Sequence, residues 1–314
     1  MPVHLRGVYA PVITPFRGDE IDLPAFAGNL ARYGRTGLAG VVVLGSNSEA
    51  PLLDDEESDR ILEAARPAVP STQLLIAGTG RESTRGTIAA SRRAAEMGAD
   101  AVIVRTPSFF RAQMTSDHFV RHYEAVADAS PVPVLLYNVT VFTGVILPLD
   151  AFARLAAHPN IIGIKESGPD LELLGQYIAQ APEGFAVLGG AHATLYAAVC
   201  VGARGGVLAV AGVIPDLCAE LFELADAGRH EEALALQRRI DPFCDIAGAR
   251  FGVAGLKAAA EIAGYAAGPP RAPLQPASPQ TVALIREQQA FGRRQRGHAD
   301  VSNASYCSRM RATV

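Results

Sequence analysis

The chain has 314 residues, 49% of them hydrophobic, and a formal net charge of -4. That is enough to build one large core or two ordinary ones, and the charge gives no global attraction to nucleic acid or to anionic membranes. Cys200, Cys218, Cys244 and Cys307 form no C-x-x-C pair and read as small buried residues of a reducing compartment. The opening Met1-Pro2-Val3-His4-Leu5-Arg6 shows no charged region followed by an apolar stretch, so a cytoplasmic location is expected.

Taken in chain order, short runs rich in Val, Ile and Leu fall at residues 7–14, 40–44, 73–78, 101–106, 134–137, 161–165, 186–189 and 206–209. Helical patterns separate them. Asp54-Asp55-Glu56-Glu57 reads as a capping box ahead of Ile61-Leu62-Ala65, and Gly98 closes a helix begun near Ser83. The uncharged segment 185–203 is punctuated by Gly189-Gly190, His192 and Gly202, which makes it a strand and a short helix rather than a membrane span. Strands apolar on both faces and separated by helices indicate a parallel sheet covered by helices. Eight such units are the pattern of a (β/α)8, or TIM, barrel. A doubly wound sheet would carry a glycine-rich phosphate turn after its first strand, and Thr14-Pro15-Phe16-Arg17-Gly18 is not one.

The organisation expected is therefore an α/β barrel over residues 1–213, a C-terminal helical domain over 214–291 that is helical throughout, and a disordered tail over 292–314.

Only two lysines accompany 26 arginines, and one of them, Lys165, ends the run Ile161-Ile162-Gly163-Ile164-Lys165. An arginine cannot lose its proton to serve as an amine nucleophile, so a lysine here points to chemistry. Barrel active sites form at the C-terminal strand ends, where Gly45-Ser46-Asn47-Ser48-Glu49, Tyr137-Asn138 and Lys165-Glu166-Ser167 collect. If Ile162 and Ile164 face the helices, then Gly163 and Lys165 face inward, as do Leu135 and Tyr137 on the neighbouring strand. Burial there disfavours the charged amine, and a neutral amine attacks a ketone to give an iminium that acts as an electron sink. Tyr137 is placed to carry the proton, and Ser46-Asn47 to grip a carboxylate. His118 and His122 read as a solvated helix face, with no metal site, and Lys257 as a surface lysine.

These residues resemble the dihydrodipicolinate synthase and N-acetylneuraminate lyase superfamily, the class I pyruvate aldolases. The resemblance runs from Leu5 to Phe291 and rests on Gly45-Ser46-Asn47-Ser48-Glu49, Thr106-Pro107, Tyr137-Asn138-Val139 with Thr143-Gly144, and Gly163-Ile164-Lys165-Glu166. It implies a barrel with C-terminal helices, a homotetramer built as a dimer of dimers, and no metal or organic cofactor. Carried over by position, Lys165 matches the Schiff-base lysine, Tyr137 the proton-shuttling tyrosine, and Ser46 and Asn47 the pair on the pyruvate carboxylate. Gly190 and Leu208 fall where backbone groups line the pocket.

Within the superfamily the chain is most similar to 4-hydroxy-2-oxoglutarate aldolase, through residues 77–84, His158-Pro159-Asn160-Ile161, Lys165-Glu166-Ser167-Gly168 and Arg271-Ala272-Pro273-Leu274-Gln275. That resemblance implies cleavage of a 4-hydroxy-2-oxo acid to pyruvate and glyoxylate, a small aldehyde or 2-oxo acid as the partner of pyruvate, and a contact from Ser167 to the distal group. Three positions depart from the pattern. Phe142 stands where the synthases carry an arginine for the semialdehyde carboxylate and the hydroxyoxoglutarate aldolases a small polar residue, Phe110 stands where many members have a relay tyrosine, and Thr140 replaces a proline. Alternatives are a dihydrodipicolinate synthase, a 2-oxo-3-deoxy sugar acid aldolase or dehydratase, and, from another class, a barrel that binds pyruvate without turnover.

Overall fold

The computed structural model describes residues 3–289. Eight parallel strands close into a barrel: β1 (Gly7–Pro11), β2 (Gly40–Val43), β3 (Leu74–Gly78), β4 (Ala101–Arg105), β5 (Val134–Asn138), β6 (Ile161–Glu166), β7 (Ala186–Gly189) and β8 (Gly205–Val207). Each pairs with its sequence neighbours, and β8 pairs with β1 to complete the ring. The TIM barrel expected from the alternation of elements is the observed fold. Between the strands lie α1 (Leu23–Tyr33), α2 (Asp55–Ala68), α3 (Thr84–Glu96), α4 (Ser116–Ala129), α5 (Leu149–Ala156), α6 (Leu171–Gln180) and α7 (Leu195–Cys200).

Local chemistry sets the helix starts. Asp22, Asp54, Ser83 and Asp170 each accept backbone N–H groups of the first turn, and at α2 the Glu57 carboxylate returns the bond to Asp54 as a full capping box.

Alternation along the strands sorts the side chains into two layers. Tyr9, Val42, Ile76, Ile103, Leu135 and Leu188 fill the barrel, while Val41, Val104, Leu136, Ile164 and Val187 pack against the helices. One detail corrects the parity argument. The register slips between Val134 and Leu135, so that Leu135 pairs with Gly163, and Ile162 packs against the inner cluster instead of facing the helices. The irregularity absorbs one residue, and Lys165 still lies in register with Tyr137.

The chain continues as α8 (Pro215–Asp226), α9 (His230–Cys244), a π-helical turn over Asp245–Arg250, and α10 (Gly252–Ile262). The helical pattern expected over 214–291 is broken. Residues 263–278 run without helix, as Gly264, Gly268, Pro269, Pro270, Pro273 and Pro276 dictate, and a last helix covers 279–289. At Gly268, where φ is +64°, a Cβ would lie 2.0 Å from the Phe16 carbonyl oxygen, so only glycine lets this segment dock on the barrel. The expectation for residues 292–314 lies outside the described residues, as does Cys307. Cys218 and Cys244 are buried as expected, but Cys200 is exposed at the end of α7. Among the described residues no helix is long and apolar enough to cross a membrane.

Candidate active site

The C-terminal strand ends open into a cavity of about 870 Å³, over which the π-helical turn and the start of α10 also reach. Lys165 and Tyr137 stand side by side on β6 and β5, both almost fully buried. The Lys165 Nζ donates to the Tyr137 hydroxyl at 3.2 Å and lies 4.3 Å from the centre of its ring. Across the mouth the Ser46 hydroxyl shares a 3.4 Å hydrogen bond with the same phenol. Burial alone would raise the Tyr137 hydroxyl, but the Lys165 charge and the hydroxyls of Ser46 and Ser167 outweigh it and hold the phenol below its ordinary value.

The turn after β2 is pinned from several sides. The backbone of Ser46–Ser48 makes a single 3₁₀ turn, and Leu44 and Glu49, flanking it, adopt left-handed φ of 55° and 59°. Ser48 donates to the Val12 carbonyl at 2.6 Å, Thr14 donates to Ser48 at 2.8 Å, and the Asn47 amide donates to Pro11 at 3.3 Å. Beneath it, the buried Glu49 carboxylate meets the Lys257 amine at 2.6 Å and accepts the Arg271 N–H at 2.8 Å. Lys257 is therefore no surface lysine. It is enclosed between Glu49, the Pro269 carbonyl and the ring of Phe16. The lysine count that singled out Lys165 applied to Lys257 with equal force.

Beyond Lys165, the Glu166 carboxylate turns away from the mouth. It accepts from the Asn138 amide and, at 2.6 Å, from the Gly168 N–H, and burial raises its pKa. Asn138 in turn accepts the Leu147 N–H at 3.0 Å. This pair fixes the ends of β5 and β6 relative to each other.

Ser46, Asn47, Tyr137, Phe142, Lys165, Ser167 and Gly190 all line the cavity. Gly190 has no room for a side chain, since a Cβ would lie 2.6 Å from the Ser167 Cα, and its N–H donates to the Glu166 carbonyl at 2.6 Å. Leu208 is not on the cavity wall. Its side chain packs in the outer layer, its N–H donates to Tyr9 and its carbonyl accepts from Ala211, while Val207 and Ala209 take the lining positions. Phe110 also stands off the wall. It is 63% exposed and packs edge-on against Phe109. The two histidines of α4 divide. His118 is exposed, whereas His122 is buried with Thr84 2.9 Å from its Nδ1, and burial lowers its pKa to about 4. Sequence reasoning also passed over Arg105 and Glu82, which line the cavity as an ion pair 2.7 Å apart.

Residues 4–287 match the model of the dihydrodipicolinate synthetase family. A DapA-like lyase of Halobacterium salinarum is 38% identical over 275 residues, 87% of this chain and 90% of that protein. A probable mitochondrial 4-hydroxy-2-oxoglutarate aldolase of Emericella nidulans is 36% identical over 285 residues, covering 88% and 92%. The solved 4-hydroxy-tetrahydrodipicolinate synthase of Methylacidiphilum fumariolicum SolV superposes with a TM-score of 0.89 at 27% identity, covering 94% of this chain and 98% of that one.

Proposed function

The chain belongs to the dihydrodipicolinate synthetase family, and on that footing we propose that it is a lyase of the 4-hydroxy-2-oxoglutarate aldolase kind, working through an imine on Lys165. The observation that carries this reading is the row of buried amine, buried phenol and half-buried serine hydroxyl, 3.2 and 3.4 Å apart, at the mouth of the barrel.

The Lys165 amine attacks the C2 carbonyl of a 4-hydroxy-2-oxo acid, and loss of water leaves an iminium. Tyr137 gives its proton to the departing water, and the phenolate then takes the proton of the C4 hydroxyl as the C3–C4 bond breaks. The aldehyde departs, and the bond electrons pass into an enamine on the former C2–C3 unit. Protonation at C3 and hydrolysis then release pyruvate and free the lysine. Ser46 and Asn47 hold the C1 carboxylate. The Ser46 and Asn47 N–H groups have no acceptor among the described residues, which supports that role. Ser167 lines the cavity beside Lys165 and contacts the distal hydroxyl. The chemistry needs no metal or organic cofactor.

Phe142 weighs against a dihydrodipicolinate synthase and equally departs from the small polar residue that the hydroxyoxoglutarate aldolases carry. Its ring is 68% exposed at the cavity edge and cannot pair with the semialdehyde carboxylate. Phe109, Phe110, Val141 and Phe142 are all largely exposed, and exposed apolar side chains of this kind support assembly as a homotetramer. A pyruvate-binding barrel without turnover is the second reading, favoured by the phenyl ring of Phe110, which cannot relay a proton. Release of pyruvate from 4-hydroxy-2-oxoglutarate by the purified chain, abolished in Lys165→Ala, supports the lyase. Tight pyruvate binding with no product from any hydroxy-oxo acid or acceptor aldehyde contradicts it.

A further inference from the structure

We propose that Arg105 recognises the distal carboxylate of the 2-oxo acid substrate, so that this site selects oxo acids carrying a distal acid group; the inference rests on the lyase reading above.

Three strands place Arg105 in line with the reacting pair. Arg105 on β4 is in register with Tyr137 on β5, and Tyr137 with Lys165 on β6. Ala101 and Ile103 on β4 belong to the inner cluster, so alternation directs Arg105 inward as well, and it lines the cavity. Neighbouring strands are about 4.8 Å apart, which puts the Arg105 backbone about 10 Å from that of Lys165 with the tyrosine between them. A 2-oxo acid bound through C2 to Lys165, with its C4 hydroxyl at Tyr137, extends its far end along this row towards Arg105.

The guanidinium is held and only partly engaged. Its Nη1 donates to Glu82 at 2.7 Å and to the Thr106 carbonyl at 3.3 Å, while Nε and Nη2 have no partner among the described residues. Glu82 is itself anchored, accepting the N–H groups of Ser108 and Phe109 at 2.8 Å each. Room for the arginine comes from Gly80, where a Cβ would lie 2.8 Å from the Arg105 Cγ. The remaining donors form a fork that suits a carboxylate. Other cationic candidates on the wall are less suited. Arg81 is tied to Asp55 of α2 at 3.0 Å, and burial lowers the affinity of the His192 imidazole for a proton. Phe142 offers only an apolar ring. The acids on the wall are Glu82, already paired, and Asp245, the first residue of the π-helical turn.

The test compares ligands of one length that differ only at the distal end, 2-oxoglutarate and 2-oxopentanoate. Binding of each to the full chain is measured by calorimetry for the native protein, Arg105→Gln, Arg105→Lys and Arg81→Gln. Arg105→Gln should weaken 2-oxoglutarate by about 10- to 100-fold, the loss of a charge-assisted hydrogen bond, and leave 2-oxopentanoate unchanged. Arg105→Lys should recover part of the difference as a point charge, and Arg81→Gln should keep it. Equal weakening of both ligands in Arg105→Gln would mean that Arg105 only braces the Glu82 loop, and loss of discrimination in Arg81→Gln would move the site; either overturns the proposal. Borohydride trapping of pyruvate on the native chain and on Arg105→Gln keeps the two claims apart. A native protein that forms no adduct sinks the lyase reading, while the ligand pair still decides for or against Arg105.

Discussion

Lys257 of α10 and Glu49 of the turn after β2 form a buried ion pair, Nζ to Oε1 2.6 Å, that joins the C-terminal helices to the backbone carrying Ser46 and Asn47. Neither side chain reaches solvent to any extent, and Arg271 and Phe16 close the cluster. Removing one partner leaves the other charge buried and uncompensated. Lys257→Met should therefore destabilise the fold by about 3–5 kcal/mol, and the double variant Lys257→Met with Glu49→Leu should recover part of that loss. Urea unfolding of the three proteins measures both quantities, and a single variant as stable as the native chain would show that the pair contributes nothing.

On the proposed mechanism, Tyr137 should set the alkaline side of the rate profile. With its hydroxyl held below the ordinary phenol value by Lys165, Ser46 and Ser167 against the opposing effect of burial, it loses its proton below pH 10. The step in which it gives its proton to the departing water then slows earlier than an unperturbed tyrosine would allow. Tyr137→Phe should lower kcat by about 10²–10⁴-fold and change the shape of that limb. The pH dependence of kcat/KM in both proteins checks this.

His122 should make the fold sensitive to acid. Its folded-state pKa is about 4 against an ordinary 6.5, because burial disfavours the imidazolium. As the pH falls, the unfolded chain binds the proton first. Stability that is complete above pH 6.5 is therefore lost progressively towards pH 4, on the order of 3 kcal/mol in all. In His122→Gln the loss over this range should be smaller by that amount, as read from urea midpoints at pH 7 and pH 4.5. Equal pH slopes in the two proteins would count against the assignment.

The barrel was legible because its strands are apolar on both faces and its helices carry caps, so each local preference agrees with the global fold. Lys165 and Tyr137 were legible for a simpler reason, since a period of two and a parallel neighbour place both inside. Ile162 was not, because a register slip depends on the partner strand and leaves no mark in its own run. Lys257 was misread because a helical stripe says which face is buried but not what distant residue covers it. Arg105 gave no signal at all in a chain whose default cation is arginine, and only the register of three strands puts it in line with Tyr137 and Lys165. The prolines of 263–278 were visible, and their local rule, had it outweighed the apolar stripe, marks the break in the helical segment.

If Lys165 forms an imine with a 2-oxo acid, intact-protein mass after incubation with pyruvate and borohydride records it, because reduction fixes the imine as a stable amine. One pyruvate-sized addition is expected on the native chain and none on Lys165→Ala. A folded native protein that gains no mass, or a Lys165→Ala variant that gains it undiminished, would contradict it.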